Sequence, residues 1–322
     1  MKVKIFKQPH IGFSFRWELR KLLSYLYSFS LVPYLFVGLH ALFCKRKKFR
    51  YEVSLCLIFK DEAPYLKEWL EYHILIGVEH FYLYNNNSSD NYLDVLQPYV
   101  NEGTVTLKNW EKNYAQVQAY QHCYDNYKNE SHWIGFIDAD EFLNLSNEGG
   151  GNDIKVFLRK YRHYPSLHIF WRFFGTSGIL KKDSSKLVIE QFTQCWPHLV
   201  DVGKSIINND WDFNIIWLHW HKARFMKLPA FSILDNYVFS PYGIVYPHLR
   251  YKEKLIINHY WSKSLEEAVY KTYHRTDAFA KVLEDIRVKN GFNYIELNCT
   301  VKDFSIQRWL PFLKERLGLT KQ

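Results

Sequence analysis

The chain has 322 residues, of which 48% are hydrophobic, 18% aromatic and 23% charged. A composition this apolar excludes a disordered or low-complexity chain, and the length permits one large domain or two small ones. The formal net charge is +9, yet residues 1–50 hold 11 Lys and Arg against the single acid Glu18, and the remainder carries 31 bases and 32 acids. A body so nearly neutral argues against a broad nucleic-acid-binding face. The five cysteines (Cys44, Cys56, Cys123, Cys195, Cys299) form no CxxC pair. Neither a zinc knuckle nor a disulfide framework is expected, and a reducing compartment suits them.

Residues 22–44 (LLSYLYSFSLVPYLFVGLHALFC) contain no charged side chain and are long enough to span a bilayer. Ser24, Ser28, Ser30, Pro33, Gly38 and His40 dilute the apolar character. Arg16, Arg20 and Lys21 precede the run, and Lys45, Arg46, Lys47 and Lys48 follow it. A cleavable signal has a shorter apolar core and no such block behind it. Three readings stand: an interfacial helix on anionic lipid, a transmembrane span with a cytoplasmic body, or a helix buried in the globular fold. Residues 1–50 are therefore expected to be a membrane-associating helical leader, and residues 51–322 one domain.

Residues 53–59 (VSLCLIF) are a near-continuous apolar run, as in a strand buried on both faces. Residues 61–77 follow as a helix, with Pro64 in its first turn and Gly77 at its stop. A strand over 80–84 ends in the polar cluster Asn85–Asp90. A helix over 92–100, a strand over 104–110, a helix over 114–127 and a strand over 133–137 complete the alternation. This pattern predicts an α/β domain with a mostly parallel central sheet flanked by helices, Rossmann-like. Ligands in such sheets bind beyond the carboxyl ends of the strands.

Beyond the glycine-rich 148–153 the alternation decays. Residues 168–174, 187–192 and 215–221 read as strands, 264–289 as a long helix capped by Ser264 and Glu267, and 305–317 as an amphipathic helix.

The stretch WIGFIDADEF (133–142) carries the chemistry. A buried strand delivers Asp138 and Asp140 together at its end. Hard divalent cations take oxygen ligands, and magnesium or manganese leaves positions open for substrate phosphates. Such an ion neutralises charge on a departing diphosphate. An Asp-X-Asp alone is common, and a solvated turn with capping aspartates has the same letters.

The context narrows this. SLCLIFKDEAPYLKEWLEYHILIGVEHFYLYNNNSSDN (54–91), then WIGFIDADEF, WRFFGTSG (171–178), GKSII (203–207) and INHYWSKSLEEAVYK (257–271) together resemble glycosyltransferase family 92. The chain is also similar to the wider group with the glycosyltransferase A fold. The resemblance implies an inverting hexosyl transfer assisted by a carboxylate general base, galactose favoured, from a nucleoside-diphosphate sugar such as a UDP-sugar. It implies a divalent cation, Mn2+ or Mg2+, and a glycan or lipid-linked acceptor in surface polysaccharide or lipopolysaccharide synthesis.

By the resemblance, Asp138 and Asp140 bind metal and diphosphate, with His259 or His219 as a further metal ligand. Lys60, Asp61, Glu62 and Asp90 border the nucleoside pocket, Gln116 and Gln118 lie near the base, and Lys204 pairs with the diphosphate. Helix-start polarity explains Lys60 and Glu62 equally well, and core packing explains a single histidine. Trp171, Phe173, Phe174, Gly175 and Ser177 look like an acceptor surface, where aromatic faces meet sugar C–H groups. For the general base, Asp201 and Glu190 lead, with Asp210, Asp212 and Asp235 in the same part of the chain.

The leader, the unpaired cysteines and the lack of a typical secretory signal suit an enzyme on the cytoplasmic face of a bacterial inner membrane, with a Golgi enzyme as the alternative. A non-catalytic carbohydrate-binding or membrane-scaffold protein with a degenerate transferase fold is the rival from another class; intact Asp138, Asp140 and late histidines argue against it. A metal hydrolase would want a tighter cluster such as HExxH, and a nucleotidyltransferase an early phosphate-cradling glycine loop.

Overall fold

A computed structural model of the protein describes residues 32–43, 47–112, 116–146, 152–200, 202–219, 221–224, 231–232, 254–274 and 285–320. The helix α1 (Val32–Phe43) comes first. The alternation expected from the sequence follows as β1 (Tyr51–Phe59), α2 (Ala63–Leu75), β2 (His80–Asn85), α3 (Tyr92–Asn101), β3 (Val105–Asn109), α4 (Gln116–Tyr127) and β4 (Ser131–Phe136). Strand side chains alternate between faces, and β1 uses both. Val53, Leu55 and Leu57 join Leu66, Trp69 and Leu70 of α2 in one core. Cys56 faces the other way, with Ala119, Tyr120 and Cys123 of α4. At the end of α2, Gly77 takes φ +104° and a Cβ there would lie 2.6 Å from Asp153 Oδ1, so glycine is required.

The later elements are β5 (Glu141–Leu145), α5 (Ile154–Arg159), β6 (Ser166–Phe173), α6 (Val188–Gln191), β7 (Gln194–Cys195), β8 (Gly203–Asn208), β9 (Phe213–Ile216), β10 (His221–Ala223), β11 (Phe231–Ser232) and β12 (Leu255–His259). Then come α7 (Leu265–His274), α8 (Asp285–Asn298), β13 (Val301–Lys302), a 3-10 turn (Ser305–Trp309) and α9 (Leu310–Arg316). The main sheet has the order β3-β2-β1-β4-β8-β6-β12-β5, with β11 on β6. Strands β3, β2, β1 and β4 run parallel. Strand β8 is antiparallel to both β4 and β6, and β12 is parallel to β6 but antiparallel to β5. The sheet is thus parallel in its first half and mixed in its second.

Several expectations change. Residues 187–192 are not a strand: the Glu68 carboxylate accepts from Val188 N (2.8 Å) and Ile189 N (3.1 Å), winding that segment into the turn α6. The run 215–221 is two strands, β9 and β10, paired antiparallel; Trp217 N donates to His221 Nδ1 at 3.1 Å across the break. Asp138 and Asp140 lie in the turn expected after β4, but that turn is short, because β5 starts at Glu141 and pairs with β12. The capping box forms as read, with Ser264 N donating to Glu267 Oε2 (3.0 Å). The helix it opens is α7, which ends at His274, and α8 begins at Asp285; the residues between, like the glycines 149–151, lie outside the described residues.

Of the leader, α1 packs on the body through buried Val37 and through His40, stacked on Trp211 at 3.7 Å. Leu35, Leu42 and Phe43 are exposed. Among the described residues no helix is long and apolar enough to cross a membrane.

Candidate active site

The parallel strands deliver their carboxyl ends to one edge. The backbone of Asp61, just past β1, adopts φ +53°. Its carboxylate accepts from Ser89 N at 2.7 Å, which ties the loop after β1 to the loop after β2. Next along this edge, β4 ends at Phe136 and Asp138 follows two residues later.

Asp138 Oδ1 accepts from Gln116 Nε2 (2.7 Å) and the Tyr120 hydroxyl (3.0 Å) of α4. Its Oδ2 accepts from Lys204 Nζ of β8 at 2.8 Å. Burial works against both charges. The lysine nevertheless holds the Asp138 carboxyl below its usual range, and the aspartate holds the ammonium above its own. The two groups form a charged pair, with the Lys204 side chain only 2% exposed.

Asp140 has a different set of partners. Its Oδ2 accepts from Lys271 Nζ of α7 at 2.8 Å, and His259 Nε2 of β12 stands 3.4 Å from Oδ1. Burial raises the carboxyl, but Lys271 and then His259 outweigh it, and the group lies well below the usual carboxylate range. Glu141 is the opposite case: fully buried, it is pushed well above that range by desolvation. Its Oε2 accepts from Asp138 N at 2.9 Å.

Around these acids lie two histidines and a tryptophan. The Trp171 ring is 4.5 Å from the His259 ring and 5.3 Å from that of His219, centre to centre. His219 Nδ1 donates to the Gly203 carbonyl at 3.0 Å. Burial pulls the His219 imidazole down to about 4, so it is neutral at pH 7.

A cleft of ≈ 320 Å³ opens beside Asp140, walled by Asp61, Tyr65, Trp261, Lys263 and Lys271 among others. Lys263 Nζ lies 3.2 Å from the centre of the Tyr65 ring and 3.3 Å from Glu62 Oε2. Two lysines, four carboxylates (Asp61, Asp140, Glu266 and Glu267) and aromatic faces thus share one opening.

The structure gathers only part of the residues singled out by sequence. Gln116, Asp138 and Lys204 form one network, and Asp140 and His259 meet; Lys204 pairs with Asp138 itself. Lys60 is exposed and Glu62 is buried against Lys263; neither lines the cleft, whereas Asp61 does. Asp90 Oδ2 accepts from Ala63 N at 2.7 Å and so serves the start of α2. Gln118 is exposed.

Of the acceptor set, Trp171 lies at the histidines, but Phe174 is fully buried in the core. A Cβ on Gly175 would lie 2.7 Å from Glu296 Oε1 of α8, so this glycine is covered by a helix. Ser177 Oγ accepts from Thr193 N and Gln194 N, which makes it a loop tie.

Among the base candidates, Asp201 and Asp235 lie outside the described residues. Glu190 accepts from Lys314 Nζ of α9 at 2.7 Å. Asp210 pairs with His132, and Asp212 lies 4.0 Å from Lys47.

Sequence reading missed Lys271, Glu141, Tyr120, Trp261 and Lys263. Tyr120 had a signal, since it lies four residues after Gln116 on one helix face.

The expected set of Asp138 and Asp140 with His259 or His219 does not converge among the described residues. Among the described residues, no three His, Cys, Asp or Glu side chains converge on one point. What does meet is one carboxylate, Asp140, and one imidazole, His259, whose buried Nδ1 has no hydrogen-bond partner among the described residues. Magnesium is commonly held by one or two carboxylates, with water and substrate phosphates completing its shell. The Asp140–His259 pair fits that use.

The sequence profile of glycosyltransferase family 92 matches residues 50–286. A glycosyltransferase family 92 protein of Ricinus communis is 28% identical over 235 residues, which cover 71% of this chain and 39% of that protein. The chain therefore spans well under two thirds of that relative's length. A galactan beta-1,4-galactosyltransferase of Arabidopsis thaliana is 23% identical over 131 residues, 37% of this chain and 26% of that one. Among solved structures, S. aureus TarS 1–349 in complex with UDP-GlcNAc is similar over 84% of this chain and 82% of its own, with a TM-score of 0.35 and 13% identity.

Proposed function

The chain belongs to glycosyltransferase family 92, and from that premise we propose that it transfers a hexose from a nucleoside-diphosphate sugar to a hydroxyl of a glycan acceptor. The observation that carries this reading is the Asp138–Ala139–Asp140 turn at the carboxyl edge of the parallel strands, with cationic partners on both carboxylates and a cleft beside Asp140. The relatives named as galactosyltransferases support galactose as the sugar, with uridine diphosphate as its carrier. The strand order β3-β2-β1-β4, with the mixed strands beyond it, supports the glycosyltransferase A fold.

In this reading the cleft admits the donor with its diphosphate toward Asp140 and Lys271. A magnesium or manganese ion, held by Asp140 and His259, would supply positive charge to the diphosphate oxygens. Lys271 adds a fixed ammonium at the same carboxylate, and Lys263 stands on the cleft wall. Lys204 keeps Asp138 charged and in place, while Gln116 and Tyr120 orient it. Charges fixed in advance cost no reorganisation when the sugar–phosphate bond breaks. Trp171, between the two histidines, offers a flat apolar face to the acceptor sugar.

The acceptor hydroxyl attacks the anomeric carbon from the side opposite the diphosphate and inverts it. Its proton passes to a base, for which Asp201, two residues before β8, is the candidate kept from sequence. The basic leader supports work at the cytoplasmic face of a membrane on a surface or lipid-linked glycan.

The test is a panel of nucleotide sugars with manganese, with magnesium and with chelator, scored for nucleoside diphosphate release and for transfer to galactan-type oligosaccharides. The reading expects metal-stimulated turnover of UDP-galactose above other donors. Absence of turnover with every donor, in a folded full-length chain, would remove it.

A further inference from the structure

The opposite edge of the sheet, where β1 and β4 begin, carries a second cleft, of ≈ 270 Å³, which includes Lys47, Glu52, His132, Arg159, Arg162 and Asp210 in its wall. It lies at the amino ends of the strands whose carboxyl ends approach Asp61 and Asp138, so it is separate from the candidate active site. His132 sits between the two acids: Nδ1 is 3.1 Å from Glu52 Oε1 and Nε2 is 3.3 Å from Asp210 Oδ2. Phe49 stacks on the imidazole with ring centres 5.1 Å apart. The two carboxylates are thereby engaged by one cation, since they raise the imidazole to about 9 against the cost of burial.

Of the remaining cations, Lys47 has Asp212 Oδ1 4.0 Å from its Nζ, outside the cleft, whereas Arg159 and Arg162 have no carboxylate of their own within it. Lys47 Nζ donates to a neutral acceptor, the Asn209 carbonyl, at 2.6 Å. Arg159 ends α5, and Arg162 follows three residues later. Their charges reach Glu52, but neither guanidinium forms an ion pair among the described residues. Arg162 Nε is buried and has no hydrogen-bond acceptor there. A buried donor of this kind calls for an acceptor from outside the protein. Four cationic groups against two acids leave the cleft positive, and guanidinium forks match phosphate oxygens in geometry.

We propose that this cleft binds a phosphate group, with Arg159, Arg162 and Lys47 as its donors, and that the headgroup of an anionic phospholipid supplies it. The choice of a lipid rests on position. Lys47 comes four positions after the end of α1, which presents exposed Leu35, Leu42 and Phe43, and in sequence it belongs to the basic run 45–48. A lipid phosphate held here would bring the body to the kind of anionic surface that the basic leader is expected to contact. The proposal does not depend on the transfer reaction.

The test uses the full chain, wild type, Arg159→Gln and Arg159→Gln/Arg162→Gln. Two probes are used: inorganic phosphate, followed by its effect on the melting temperature, and vesicles of phosphatidylcholine with or without one quarter phosphatidylglycerol, followed by co-sedimentation. The leader is identical in all three proteins, so differences report the cleft. We expect phosphate to stabilise the wild type, the double variant to bind it about tenfold more weakly, and vesicle binding to fall in parallel. Loss of the phosphate response with unchanged vesicle binding supports the site and assigns it to a soluble phosphate instead. The single variant, at an exposed residue, guards against misfolding of the double one and should lie between. Equal responses of all three proteins to phosphate, or none in the wild type, would overturn the proposal.

Discussion

At the carboxyl edge of the parallel strands two acids stand two residues apart, and each meets a lysine: Lys204 on Asp138, Lys271 on Asp140. At the amino edge the arrangement is reversed, with one imidazole between two acids, Glu52 and Asp210. The partners also come from different distances. Lys204 and Lys271 lie 66 and 131 positions from their aspartates, so the carboxyl edge is complete only when β8 and α7 have packed. The contrast teaches where a ligand can act. At the carboxyl edge it would meet anions already balanced by lysines that it can share; at the amino edge it would meet cations left over once His132 has taken both acids.

Removing Asp138 should have the largest effect. Asp138→Ala leaves Lys204 buried with Glu141 Oε1 4.0 Å away as the nearest other acid. We expect transfer to fall by about 100-fold or more and stability to fall by about 1–3 kcal/mol, because Lys204 is buried but Asp138 is 32% exposed. Transfer assays and denaturant titration measure the two losses. An unchanged denaturation midpoint would show that the pair contributes nothing to folding.

The amino edge should reveal itself through pH. The folded His132 imidazole lies near 9, above its unfolded value, so its stabilisation is complete below about 6.5 and is lost as pH rises through about 9. The melting temperature of the wild type should fall across that window, and His132→Gln should flatten the fall. Equal slopes for both proteins would break the comparison.

A smaller effect belongs to α7. Ser264→Ala removes the cap hydroxyl that accepts from Glu267 N and donates to its carboxylate. A loss of about 1 kcal/mol is expected, seen in the denaturation midpoint, with a lower affinity for donor because α7 carries Lys271. The smallest change should come from Glu141→Gln. Burial pushes the Glu141 carboxyl well up, disfavouring its charged form, and an amide oxygen can still accept from Asp138 N, so stability should stay within about 0.5 kcal/mol. A larger loss would mean that Glu141 is charged and supports Lys204.

The first half of the domain was legible because its signals are local. Apolar runs marked β1 and β4, Pro64 and Gly77 bounded α2, and the polar clusters marked the strand ends. Residues 187–192 were not legible as a helix because the acceptor that winds them, Glu68, comes from α2. The same holds at the site. Asp138, Asp140 and His259 stood out by type and position, whereas Lys271 and Lys263 are recruited by tertiary packing that spacing does not encode. Phe174, Gly175 and Ser177 have the composition of a sugar platform, but the core takes Phe174, helix α8 covers Gly175, and the backbone of Thr193 and Gln194 claims Ser177.

The central claim is that the Asp138–Asp140 turn receives the diphosphate of a sugar donor. Calorimetric titration of UDP with manganese into the full chain, the Asp140→Asn variant and the Lys271→Ala variant tests it most directly. The account predicts saturable binding to the wild type and weakening of about tenfold or more in each variant. Equal affinity in all three proteins would contradict it.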